Sequence, residues 1–120
     1  MTEETENPTG FLPLRPLDFQ VLTVLAQGER HGYGIAHASR EEFPDQPALE
    51  LGSLYRIISR MLDQQLIEEV KPPPDAPTDQ RVRRYYHVTQ LGLEVVRAEA
   101  DRMRSLLAWP AVRRLFEVEA

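Results

Sequence analysis

Residues 52–65 read Gly-Ser-Leu-Tyr-Arg-Ile-Ile-Ser-Arg-Met-Leu-Asp-Gln-Gln, and the order of apolar and charged side chains in this run decides the fold. Leu54, Ile57, Ile58, Met61 and Leu62 recur at helical spacing on one face, while Ser53, Arg56, Ser59, Arg60 and Asp63 occupy the other. The spacing predicts a helix with one buried side and one arginine-bearing side. The segments around it determine how that wet side is presented.

Upstream, residues 17–27 carry Leu17, Phe19, Val21, Leu22, Val24 and Leu25, too apolar for a helix with a large solvated face, and Gly28 is expected to close it. A second helix is expected from Gly32 or Tyr33 to about Phe43, with Tyr33, Ile35, Ala36, Ala38 and Phe43 as contacts and Pro44 as its stop. Pro44 and Pro47 then bracket a short turn. Neither Glu50 nor Leu51 is a preferred N-cap, so the entry to the arginine-bearing helix is bracketed only between Leu49 and Ser53.

Downstream of Leu66 the pattern becomes strand-like, with one strand expected over residues 67–71 and another, rich in Tyr and Val, over residues 83–88. The intervening run holds Pro72, Pro73, Pro74 and Pro77, which cannot donate ladder hydrogen bonds, so it projects as a loop with an extended tip. Alternation puts Tyr86 and Val88 on one face, assigned to the core, and Arg83, Tyr85 and His87 on the other. A helix-turn-helix followed by such a hairpin is a winged helix. Thr89 is a good N-cap for a last helix carrying Leu91, Val95, Val96, Met103, Leu106 and Leu107 at near-heptad intervals before Pro110 interrupts it. A further helical turn or two is expected over residues 111–120, holding Val112, Leu115 and Phe116. A helix this long cannot bury its stripe against so small a domain, so it is expected to pack against a second copy of itself.

The expected fold class is therefore mainly α with a small two-stranded β wing: a winged helix-turn-helix plus a long C-terminal dimerisation helix. The corresponding division is a flexible N-terminal arm over residues 1–16, a DNA-binding winged helix over 17–88 and a dimerisation helix over 89–120. In the arm, Pro8, Gly10, Pro13 and Pro16 prevent sustained periodicity, while Phe11, Leu12 and Leu14 suit packing onto a partner subunit or onto the body of the domain.

Composition bounds the chemistry. A chain of 120 residues holds one small core and leaves no room for a second, catalytic domain. The absence of cysteine excludes disulfides, thiolate metal sites and cysteine nucleophiles together. The acidic start and the lack of an apolar run of about 18 residues lead to the expectation of a soluble, cytoplasmic protein with no membrane partner. The formal net charge of -5 at first opposes nucleic-acid binding, which depends on Lys and Arg neutralising phosphates. The charge is segregated, however. Glu3, Glu4 and Glu6 precede the domain, Glu41, Glu42, Asp45 and Glu50 precede the arginine-bearing helix, and Glu117 and Glu119 are terminal. Between Gly52 and Thr89, Arg56, Arg60, Lys71, Arg81, Arg83 and Arg84 slightly outnumber Asp63, Glu68, Glu69, Asp75 and Asp79, which permits a local basic face.

Five motifs occur in linked order: His31-Gly32-Tyr33, Gly52-Ser53-Leu54-Tyr55, Leu66-Ile67, Arg84-Tyr85-Tyr86 and Thr89-Gln90-Leu91-Gly92. In order and spacing the chain resembles the PadR-like transcriptional regulators from about Leu17 to Leu107. That resemblance implies a winged-helix homodimer on a pseudo-palindromic operator of double-stranded DNA, usually a repressor, with release by a small aromatic effector in some members. Three features depart from the pattern. Glu50-Leu51 stands where Ser-Pro is common, the wing is unusually proline-rich, and the C-terminal part is short.

The expected DNA-binding residues are Ser53, Tyr55, Arg56 and Arg60 on the helix and Lys71, Arg81, Arg83 and Arg84 on the wing. Arg56 and Arg60 lie one turn apart, so both face a groove, where an arginine donates two hydrogen bonds to guanine. The alternative for each is a surface ion pair with Asp63, Glu41 or Glu42. Tyr55 resembles the family's motif tyrosine, its ring beside the helix-turn-helix and its hydroxyl toward phosphate. The wing cations suit backbone or minor-groove contact, which positions more than it specifies. His31 and Tyr33 open the second helix, where amides and a ring face either phosphate or the turn. His37 and His87 lack ligand-spaced partners, so no metal and no cofactor is expected. Trp109, the only tryptophan, is a candidate effector-binding residue by resemblance and otherwise an interface anchor. No nucleophile-base pair or phosphate loop points to an enzyme; the rival reading is a winged-helix interaction or regulatory subunit that does not bind DNA.

Overall fold

The computed structural model describes residues 7–117. The first six residues of the expected arm and the last three of the C-terminal segment lie outside the described residues. Helix α1 (Pro16–Leu25) starts on a proline, whose missing N–H is one of the unpaired donors of any first turn, and buries Val21, Leu22, Val24 and Leu25. It is shorter than the sequence predicts. Turn bonds from Gln27 to Val24 and from Gly28 to Leu25 end it, and Gly28, at φ 150, redirects the chain into an extended pair of residues.

That pair, β1 (Arg30–His31), is a strand absent from the sequence reading. It precedes α2 (Gly32–Glu42) and α3 (Leu51–Asp63), and the remaining order is β2 (Ile67–Val70), β3 (Tyr85–Val88), α4 (Gln90–Ala108) and α5 (Pro110–Arg113). The sheet is therefore three-stranded, in the order β1-β3-β2, with both pairings antiparallel. The expected two-stranded wing is present at β2 and β3, and β1 covers the free edge of β3. Two residues carry no readable alternation, so only the tertiary pairing defines them. Both expected wing strands are also shorter than predicted, because Lys71, Arg83 and Arg84 belong to the loop.

Tyr86 and Val88 enter the core as alternation predicts, but Tyr85 is equally buried on the opposite face. The His31 ring meets it edge-on at 5.2 Å. The face opposite the one assigned to the core is thus covered locally, by the residue that β1 lays beside it.

Leu22, Leu25, Ile35, Leu54, Met61, Leu66, Ile67 and Val95 are wholly enclosed, so the core is built where α1, α2, α3, the sheet and the first half of α4 meet. At the end of α3, Leu66 N–H donates to Met61 C=O and Gln65 N–H to Leu62 C=O, with Gln65 left-handed at φ 62. Thr89 ties α4 to this same turn, its hydroxyl donating to Gln65 C=O at 2.7 Å and accepting from Gly92 N–H at 3.0 Å. Gly92 is required there, since a Cβ would lie 2.0 Å from the Leu66 carbonyl oxygen.

The expectation of a flexible arm is corrected for its described part. A 3-10 turn at Pro8–Phe11 packs on α4, and Phe11, Leu12 and Leu14 lie against the core. The buried Glu99 carboxylate accepts from Leu14 N–H at 3.0 Å and from Arg102 at 2.6 and 2.9 Å. These apolar residues thus pack on the body of the domain, the second of the two placements open to them. Beyond Glu99, α4 leaves the body. The radius of gyration, 16.6 Å, exceeds the roughly 14 Å of a compact chain this long.

Candidate nucleic-acid interface

Helix α3 has no side-chain cap at Glu50, as its sequence predicts, and begins at Leu51. Burial of Leu54, Ile57, Ile58 and Met61 turns Tyr55, Arg56 and Ser59 outward, with Ser53 and Arg60 half-buried at the edge. Arg56 Nη2 donates to Ser53 Oγ at 3.3 Å, a contact within one helical turn. Arg60 is held by a residue that the sequence reading did not pair with it: its Nη2 donates to both carboxylate oxygens of Asp18 at 2.6 Å. Asp18 is 42 residues away in the chain, so no local spacing could have exposed the pair. Arg15, Pro16, Leu17, Asp18, Ser53, Arg56, Ile57 and Arg60 together line an open cleft of about 420 Å³ between the start of α1 and α3.

A second, smaller cleft of about 160 Å³ adjoins the first turn of α2. His31, Gly32, Tyr55, Arg83, Arg84 and Tyr86 line it. His31 caps α2, its Nδ1 accepting from Gly34 N–H at 3.0 Å. That assignment puts the ring proton on Nε2, which donates to Gln80 Oε1 at 3.3 Å and ties the wing to the helix start. Tyr55 stands over Gly32 so closely that a Cβ at Gly32 would lie 2.7 Å from its hydroxyl. Arg83 places its guanidinium 4.8 Å from the centre of the exposed Tyr33 ring. Burial, then the neighbouring Glu69, raises the Tyr86 pKa above the ordinary tyrosine value.

The wing loop does not hold an extended tip. Ala76 N–H closes a turn on Pro73, residues Thr78–Gln80 form a 3-10 turn, and Ala76 is buried. Arg81 knots this loop, with Nε donating to Ala76 C=O at 2.9 Å and Nη2 to Pro74 C=O at 3.2 Å. Prolines supply acceptors but no donors, so an arginine fork satisfies carbonyls that no backbone N–H reaches. Lys71, Arg83 and Arg84 remain exposed.

The fold thus gathers Ser53, Arg56 and Arg60 on one cleft and Tyr55, Arg83 and Arg84 on another. Arg15 is an addition to that set, placed by α1. Trp109 lies apart, at the C-terminal end of α4, where it is exposed with Leu107, Leu115 and Phe116. Among the described residues no helix is long and apolar enough to cross a membrane.

Comparison with known proteins bears on the fold. The model of the transcriptional regulator PadR-like family matches residues 21–98. A PadR-like transcriptional regulator from Bacillus cereus superposes with a TM-score of 0.68 at 25% identity, over 86% of this chain and 93% of that one. A PadR family transcription regulator from Clostridium difficile gives 0.66 at 24% identity, over 85% and 98%. A complex structure of the H. salinarum protein RosR, hsRosR-S4, gives 0.68 at 19% identity, over 92% and 90%, and shares the fold. No curated protein matches the sequence significantly.

Proposed function

The chain belongs to the PadR-like family of transcriptional regulators, and from that premise we propose that it is a sequence-specific DNA-binding repressor, acting as a homodimer on a pseudo-palindromic operator. The observation that carries this reading is that α3 lines two clefts, one with Ser53 and Arg56 and one where its Tyr55 meets Arg83 and Arg84, on a chain whose net charge is -5. Cations gathered around one helix of an acidic protein attract phosphate where the whole molecule would not. In this reading α3 enters the major groove with Arg56 toward base edges. Tyr55, Arg83, Arg84 and Lys71 meet the backbone. Arg81 acts chiefly through the loop it organises.

The homodimer reading is supported by the second half of α4 and the turns after it, which carry Leu107, Trp109, Leu115 and Phe116 exposed. Two such faces pair by burying one another. Trp109, with an exposed indole at this end, is the residue proposed to stack on a small aromatic effector. The acidic Glu50 at the start of α3 favours the rival reading, a regulatory subunit that does not bind DNA. Selection of duplexes by the purified protein distinguishes the two. Enrichment of a repeat with half-sites about one helical turn apart is the expected result. Recovery of random sequence would sink the operator reading.

A further inference from the structure

We infer that Asp18 is a specificity-determining, positioning residue: it fixes Arg60 on the groove-facing cleft so that Arg60 reads bases rather than merely attracting phosphate. The inference rests on the DNA-binding reading above and deepens it. A carboxylate in the lining of a basic cleft opposes phosphate, so its presence there needs a separate cause. The Asp18 side chain is nearly buried, 12% exposed against 34% for Arg60, so pairing offsets the burial of its charge. That requirement alone does not fix which way the rest of the guanidinium faces.

What the pair does supply is geometry. Arg60 Nη2 is held by both Asp18 oxygens at 2.6 Å, while Nε and Nη1 make no hydrogen bond among the described residues. One side of the fork is fixed and the rest of it is left to donate. Arg56, by contrast, is exposed, and among the described residues its hydrogen bond is to Ser53, on its own helix, at 3.3 Å.

Asp18 is itself anchored. It lies in the first turn of α1, where the helix dipole favours a carboxylate, two residues after the proline that starts the helix. Four residues before it, Leu14 N–H is bound by the buried Glu99 of α4. A chain of bonds therefore runs from α4 through the N-terminal segment to Arg60. An arginine held in one orientation discriminates bases by its donor pattern, whereas a mobile one follows charge.

The test compares Asp18→Asn with the unaltered protein on the selected operator and on a random duplex, well below the melting temperature of both proteins. Positioning predicts that operator affinity falls about tenfold or more while random-duplex affinity holds or rises, because a negative charge has left the cleft. Arg60→Lys, which keeps charge but loses the fork, should lose operator preference in the same way. An equal rise on both duplexes means that Asp18 is only a charge, and an equal fall means that it only supports the fold; either overturns the inference. Nuclear magnetic resonance of the Arg60 Nε–Hε group in DNA-free protein gives an independent reading. A rigid group that becomes mobile in Asp18→Asn supports the positioning role. A group as mobile as that of Arg56 overturns it even if the protein binds no DNA. Absence of any sequence preference in the unaltered protein counts instead against the DNA-binding reading itself.

Discussion

Arg56 and Glu99 show what single side chains do in this molecule. Arg56 is exposed and makes one long contact to Ser53, so its truncation removes little from the fold. Arg56→Ala should leave the melting temperature nearly unchanged and cost roughly 1–3 kcal/mol of operator discrimination. Unchanged affinity at fixed salt would show that this face does not read DNA. Glu99 is the opposite case, buried and bonded to both Arg102 and Leu14. Its hydrogen bonds to Arg102, helped by that from Leu14 and opposed by burial, hold its pKa below the ordinary carboxylate value. A folded-state pKa below the unfolded one stabilises above the ordinary carboxylate range, and that contribution is lost as the pH falls through the lowered value. Glu99→Gln should therefore cost about 1–3 kcal/mol in neutral denaturation. The gap to the unaltered protein should close on acidification; a gap that is constant with pH would mean the carboxylate charge contributes nothing.

Between elements, the decisive contacts are at turns. The end of α3 and the start of α4 share the Leu66 carbonyl, which accepts from Thr89 N–H and lies against Gly92. Gly92→Ala would force a Cβ to 2.0 Å from that oxygen, so α4 must retreat from the sheet. The expected loss is about 3 kcal/mol in chemical denaturation, and a melting curve like that of the unaltered protein would refute this reading of the contact. The Thr89-Gln90-Leu91-Gly92 motif was legible as an N-cap and a helix start. The reason for its glycine was not, because Leu66 is distant in sequence and adjacent only in the fold. The same limit applies to β1 and to the Arg81 knot in the wing, where short segments carry no period and bonding partners depend on how the loop closes.

For the whole molecule, shape and charge point the same way. The body is compact around one core, while the far half of α4 and the turns after it extend outward, giving extents of 55 × 45 × 25 Å. Leu107, Trp109, Leu115 and Phe116 expose large apolar side chains within ten residues of chain, which a monomer would leave wet. Leu107→Asp combined with Phe116→Asp should shift sedimentation at micromolar concentration from two chains to one. Operator affinity should fall with it, since each copy then binds a single half-site. Two chains persisting in that variant would place the interface elsewhere.

Periodicity, caps and breakers are properties of neighbouring residues. They determined the helices, the wing hairpin, the buried face of α3 and the outward turn of Arg56, all from the sequence itself. The five spaced motifs likewise carried the family. Long-range pairing is not written in neighbours. Only the tertiary structure decided that Asp18 holds Arg60, that His31 supports Tyr85, that Arg81 binds its own loop and that Glu99 fastens the N-terminal segment. In each case the partner is chosen by where the packed core brings two distant backbones, and a buried or half-buried polar group then takes whatever partner lies within reach.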